Sequence, residues 1–401
     1  YNSETDYIKV TGGTFSSDPS AYVAEGYVVD EKEDGVYVVR AAKPGETAEN
    51  PIWIETASDL EKIENSGVYT YYKVADNVTE IDCTDVSRLH LYGEFDGNSA
   101  TLKNLRNSLF QYVGNGKETE ETTVLKNFTA VMNTPNSLVF TIAGPSTKFE
   151  GVKVSGYMEG YWNMGAFVNY GSANYDDSGF DYTVEFAQCS CDATIISKQN
   201  NSAAVLVGHT YPGAGKAVIK LDSATNTGID GATMRLNGGT NGYKYYGVGN
   251  ATVYLGDATK EKEKLPTDNV TQLNVVTPTK NSDGIYTVTV QEGATAKAQL
   301  TAQLTAYTDG TEISNLRGIT FTLGESTAVE NGNVFDKVES VQIKNEMTAS
   351  GRPAYTLENG VLTVYTNTTE NYVTGKVSVT VSQYDAENKL CAIGSLVLAE
   401  K

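Results

Sequence analysis

The chain has 401 residues, enough for two or three domains, each with a core of its own. It carries 30 Lys and Arg against 50 Asp and Glu, a net charge of −20, and only six of the basic residues are Arg. That balance excludes nucleic acid as a partner, because phosphate backbones are held by basic clusters, and it disfavours anionic membrane surfaces and polyanionic substrates. The 38 Gly and 26 Tyr, set among frequent Thr, Val and Asn, are the composition of strands joined by tight turns. No run reaches the ~18 apolar residues of a membrane-crossing helix, so no membrane insertion is expected in this segment.

Residues 1–44 form a first module. "YIKVTGGTF" alternates as a strand, and Asp18-Pro19 opens a short helix that Gly26 closes. "YVV" and "VYVV" around Asp34-Gly35 predict a two-residue hairpin. After the polar connector "KPGETAENP", "PIWIETASDLEKIENSG" predicts a strand and then a helix. Ser58 and Glu61 are expected to form its capping box and Gly67 to stop it. This helix is the candidate N-terminal cap of the body that follows.

The body shows internal repeats. "FEGVKVSGYMEG" from Phe149 aligns with "FAQCSCDATIIS" from Phe186, so that Phe149 matches Phe186, Val152 matches Cys189 and Val154 matches Cys191. Looser copies begin at Leu125 and Val218, and small-residue strands such as "GAFVNYG" and "SAAVLVGHTY" follow the copies. Spacings of roughly 24 to 37 residues fit the coils of a solenoid, in which each coil contacts its neighbours only. Val152, Val154, Cys189 and Cys191 are then interior residues. Cys189 and Cys191 share one face of a strand, a geometry unsuited to a bridge between them, and read as small buried apolar groups. A zinc site would need partners, and the chain has only His90 and His209. No metal and no cofactor is expected.

Two segments also carry a family resemblance. "GEFDGNSATLKNL" from Gly93 and "SLFQYVG" from Ser108 resemble the opening motifs of GLUG-type repeat regions, with Ser99 where that family has Gly. "GGTFSSDPSAYVAEGYVV" and "DGVYVV" resemble a module near the ends of repeat regions in surface proteins of gut Firmicutes. The resemblance implies a right-handed parallel β-helix over residues 45–262 and an extracellular or cell-surface location.

"GDATKEKEKLPTD" is read as a linker or a hairpin excursion. Beyond it, residues 263–401 hold seven evenly spaced strand segments, from "GIYTVTV" to "CAIGSLVL", with Asp385–Asn388 as the last turn. Seven strands over this length give an Ig-like β-sandwich. The expected fold is therefore all-β: a parallel β-helix followed by an Ig-like sandwich.

Parallel β-helices include polysaccharide lyases and hydrolases, so catalysis needs weighing. "NYDD" at Asn174–Asp177, "GHT" at Gly208–Thr210 and Arg235 are faint echoes of polygalacturonase motifs, short of their Thr, Gly and Lys. Inverting hydrolysis needs two carboxyl groups held ~6.5–9.5 Å apart on rigid elements. Asp176, Asp177 and Asp181 instead lie in a loop without the regular order of a calcium motif, and read as solvated. The aromatic residues stand out: Tyr157, Tyr161, Trp162 and Tyr175 are the candidate ligand-binding residues, with "YKYYG" at Tyr243–Gly247 near them in character. Such rings stack on sugars, anchor protein interfaces, or simply pack between coils. The expected function is a non-enzymatic, monomeric adhesin-like stalk or binding module for glycans or proteins. The alternative is a degenerate β-helix lyase or hydrolase.

Overall fold

The computed structural model describes residues 9–64, 67–86, 88–117, 121–161, 164–171, 180–198, 202–211, 215–222, 229–277, 279–280, 286–290, 294–306, 311–313, 319–323, 341–345, 355–358, 361–364 and 374–400. It is all-β, dominated by long parallel sheets, and divides into two compact units, Tyr1–Thr271 and Gln272–Lys401.

The first unit begins with a three-stranded antiparallel sheet in the order Gly13–Phe15, Tyr37–Ala41, Tyr27–Glu31. Its hairpin is wider than the expected two-residue turn. Glu31 pairs with Tyr37, and the loop is closed by Lys32 N–H donating to the Val36 carbonyl (2.8 Å), with Gly35 at φ +74°. Asp18 heads a single 3-10 turn, Ser20–Tyr22, its carboxylate accepting from Ser20 N–H at 2.9 Å. The next helix is also shorter than expected, Ala57–Leu60, and its capping box is Thr56 with Asp59 rather than Ser58 with Glu61. Thr56 has the extended backbone an N-cap needs, and its hydroxyl accepts from Asp59 N–H (3.3 Å) while Asp59 accepts from Thr56 N–H (2.9 Å). Both choices share a register of three, and the extended entry from Ile52–Ile54 decides between them.

From there the chain visits two parallel sheets in turn. The larger runs through Ile52–Ile54, Thr70–Val74, Gly93–Leu105, Thr123–Thr134, Ser146–Gly160, Tyr182–Ala187, Ala217–Leu221 and Thr252–Leu255. The smaller runs in step through Leu89–Leu91, Phe110–Val113, Val139–Ile142, Val168–Gly171, Val207–Thr210 and Tyr246–Gly249. Pairing is in register, so each sequence position stacks on its equivalent one turn away. Tyr72, Phe95, Leu125, Phe149, Phe186, Leu221 and Leu255 form one inward column. Within it Phe149 and Phe186 stack at 5.1 Å and 6°, and Phe167 meets both edge-on. A second column holds Leu102, Ala130, Val154 and Cys191, all with no exposed surface. The repeat alignment is thus the stacking register itself.

Strand interiors alone would run straight, and a left-handed residue bends each coil at one shared place. Asn98 and Ser99, Asn127, Gly151 and Gln188 have φ of +49°, +67°, +57°, +63° and +55° respectively. They fall between the paired positions Asp96, Lys126, Glu150, Ala187 and Ala100, Phe128, Val152, Cys189. Side chains knit this corner: the Asn127 amide donates to Asp96 (3.1 Å), and the Asn98 amide to Asp76 (2.8 Å). The charged segment after Gly256 is a hairpin excursion rather than a linker. Ala258–Lys260 returns antiparallel on Thr252–Leu255, and Leu265 is buried behind it.

The second unit has a five-stranded sheet ordered Asn274–Val275, Leu390–Glu400, Thr374–Tyr384, Thr295–Ala306, Val341–Asn345, and two three-stranded sheets. Each of the seven expected strand segments contains a strand. Three pairings are parallel: Asn274–Val275 with Leu390–Glu400, Tyr286–Val290 with Ile319–Leu323, and Thr295–Ala306 with Val341–Asn345. The last turn falls at Asp385–Asn388, where Asp385 N–H donates to the Lys389 carbonyl and Asn388 takes φ +58°.

Candidate functional site

Residues on the outer side of the smaller sheet also stack from strand to strand, with one register shift between Leu89 and His90 and with Thr141 buried among them. His90, Tyr112, Thr141, Tyr170, His209 and Val248 occupy one register position on six successive strands. The short strands fix this direction: in Val207–Thr210, for example, Val207 and Gly208 are buried and His209 is half-exposed. Rings fill the column. His90 and Tyr112 meet edge-on at 4.7 Å; Phe140 meets Tyr170 at 5.5 Å, Tyr170 meets His209 at 5.7 Å, and His209 meets Tyr211 at 6.1 Å. Tyr211 is 50% exposed and the others are half-buried by one another. Strand spacing of about 4.8 Å places these rings along a rigid, regular row.

Burial pushes the pKa of His90 and of His209 below the usual value for histidine. Both rings are neutral at pH 7, each offering one donor and one acceptor at the edge of an aromatic surface. Desolvation is the cause of each shift.

The candidates chosen from sequence fall elsewhere. Tyr157 lies near the end of the strand Ser146–Gly160 and Tyr161 just past it, and the two are linked through Glu159 and Lys198. The half-buried Tyr157 hydroxyl donates to Glu159 at 2.7 Å, Glu159 pairs with Lys198, and the Lys198 ammonium lies 4.7 Å from the Tyr161 ring centroid. Lys198 and Glu159 are only 13% and 14% exposed, so this is a tight corner in which one face of Tyr161 is already taken. Trp162 and Tyr175 lie outside the described residues, as do Asn174, Asp176 and Asp177. Asp181 accepts from Lys216 N–H at 2.8 Å and so serves the backbone. The "YKYYG" rings are also engaged: Lys262 lies 4.1 Å from the Tyr243 centroid and 4.5 Å from that of Tyr246, and Tyr245 donates to Glu263 at 3.1 Å.

The row itself escaped the sequence reading because it has one member per coil, 22 to 39 residues apart. The signal was present in "GAFVNYG" and "SAAVLVGHTY", whose Tyr170 and His209 hold equivalent places in successive small-residue strands.

The three thiols of Cys83, Cys189 and Cys191 are buried and each is pushed up to about 12 by desolvation, which leaves them unreactive. Among the described residues no group of three or more His, Cys, Asp and Glu is placed to hold a metal ion, and no helix is long and apolar enough to cross a membrane. No protein-family model matches the chain, and neither a curated protein nor a solved structure does.

Proposed function

We propose that this protein is a non-enzymatic glycan-binding module of a secreted or cell-surface bacterial protein. Its first unit is read as a right-handed parallel β-helix of the GLUG-type kind and its second as an Ig-like sandwich variant. Two in-step parallel sheets with in-register ladders support the first reading. A mainly antiparallel five-stranded sheet supports the second, the parallel pairs being its departures from the Ig pattern.

The observation that carries the function is the outward row His90–Tyr112 and Phe140–Tyr170–His209–Tyr211. A β-helix needs inward ladders to fold. An outward ladder of half-exposed rings adds little to the core, and offers flat apolar faces edged with hydroxyl and imidazole groups. Sugars present the matching pair of surfaces, an apolar ring face and a hydroxyl rim. A glycan array probed with the wild-type chain and with Tyr170→Ala tests this. Wild-type binding that Tyr170→Ala removes, at nearly unchanged melting temperature, is the expected result. Binding that survives Tyr170→Ala, or an array with no bound glycan, contradicts it.

A further inference from the structure

Beside the first three strands of the smaller sheet lies a cavity of about 280 Å³, lined by Arg88, Asn107, Ser108, Gln111, Asn136 and Phe140, the last a ring it shares with the aromatic row. These residues come from three successive coils. Gln111 directly precedes Tyr112 of the row, Arg88 precedes His90 by two residues, and Phe140 is the ring that meets Tyr170. The volume falls just below the ~300 Å³ at which pockets take drug-sized ligands, and gives room for a single sugar ring.

The lining is chemically specific. Arg88 is exposed, and its guanidinium makes no ion pair or hydrogen bond among the described residues, although the chain carries a net charge of −20 and ten other basic side chains form ion pairs. Its backbone sits at φ +63°, a left-handed conformation unfavourable for a branched-free but bulky side chain, held by Arg88 N–H donating to the Ser108 carbonyl at 3.2 Å. Ser108 is 2% exposed and its hydroxyl has no hydrogen-bond partner. A buried polar group left in that state costs free energy until something satisfies it. Asn136 donates to Asn107 at 3.4 Å, a long contact that leaves both amides capacity for more, and the Gln111 amide is half-exposed beside them.

We infer that this cavity binds a carboxylate-bearing sugar, a hexuronate unit of the glycan that lies along the row. A planar guanidinium matches a carboxylate through two parallel hydrogen bonds. Three amides supply both donors and acceptors, as sugar hydroxyls require, and Phe140 supplies a ring face. A phosphate or sulfate group would call for several cations, and the lining has one. This proposal rests on the glycan-binding reading above, and the test separates the two.

The probes are the methyl glycosides of glucuronic and galacturonic acid, their neutral counterparts methyl glucoside and methyl galactoside, and a short Glu-rich peptide. Binding is read by ligand-observed NMR at low salt on the full chain, wild type, Arg88→Gln and Tyr170→Ala. The expected result is at least tenfold tighter binding of one uronide than of its neutral counterpart, with that preference lost in Arg88→Gln and weakened by added salt. Tyr170→Ala should weaken acidic and neutral sugars together. Because Arg88 holds a left-handed backbone, Arg88→Gly serves as a second variant that relaxes the fold while removing the same charge. Equal binding of acidic and neutral sugars, still sensitive to Tyr170→Ala, overturns the pocket proposal and leaves the glycan reading standing. A uronide preference that persists in Arg88→Gln and Arg88→Gly also overturns it. Binding of the peptide but no sugar, or of no probe, overturns both.

Discussion

Ser99 shows how a single residue departs from the pattern around it. The backbone at Ser99 is left-handed, φ +67°, a conformation that favours Gly, directly after Asn98 at +49°. A left-handed conformation costs a residue with a Cβ about 1–2 kcal/mol, against about 0.5–1 kcal/mol of extra chain entropy for Gly. Ser99→Gly is therefore expected to stabilise the protein by ~0.5–1 kcal/mol, read as a higher denaturation midpoint. A lower midpoint would mean that the Ser99 side chain does something the exposed position does not suggest. The thiols give a second residue-scale test. Cys391, less deeply placed than the other three, should react first with a thiol reagent in native buffer, and Cys83, Cys189 and Cys191 only on unfolding. Rapid reaction of all four would move the interior columns to the surface. The two histidines give a third. With both pKa values lowered by burial, each imidazole should titrate by NMR below the ordinary value near 6.5. The sign follows from linkage: the unfolded chain takes protons at these sites at higher pH than the folded chain does, so their contribution to stability is complete above ~6.5 and is lost on acidification. Titration at or above 6.5 would place the rings in open water or beside a carboxylate.

At the scale of elements, the inward and outward faces of the same coils carry different burdens. Phe186 has no exposed surface and stacks on Phe149, so Phe186→Ala should cost about 3–5 kcal/mol, a fall of roughly 10 °C in melting temperature. Tyr161→Ala, at a 38% exposed ring whose contact is one lysine, should move it by no more than about 2 °C. Comparable losses from the two would contradict the assignment of faces. These inward positions were legible beforehand, because Phe149 with Phe186 and Val154 with Cys191 repeat at a spacing that only stacking explains. The capping helix was legible in kind but misplaced by two residues, since Thr56–Asp59 and Ser58–Glu61 are equally good boxes until the extended strand before them is known. The outward row was not legible: its members are isolated aromatics in separate coils, and only the register of the smaller sheet brings His90, Tyr112, Tyr170 and His209 into line. Local clustering pointed instead to Tyr157 and Tyr161, whose contacts run through Glu159 and Lys198. The hairpin after Gly256 was half legible, as one of two readings of its charged run, and its Lys262 covers Tyr243 and Tyr246.

For the molecule as a whole, the first unit's organisation is one-dimensional. Each coil rests on its neighbours, so stability accumulates by interfaces and any column must hold its register from end to end. The same stacking that buries Phe95 through Phe186 sets His90, Tyr112, Tyr170 and His209 along the outer face, interrupted by Thr141, with the Arg88 cavity beside Phe140. The fold of this unit and the proposed binding both depend on the stacking of six strands of the smaller sheet. Pulsed electron resonance between nitroxides tests it directly, with labels attached at cysteines replacing His90 and Val248 and with Cys391 changed to serine. Five strand steps of about 4.8 Å separate those positions, so a single distance population centred near ~24 Å, broadened only by the label arms, is the expected result. A population centred well away from that value, or a spread with no maximum there, would contradict the stacking and the aromatic row built on it.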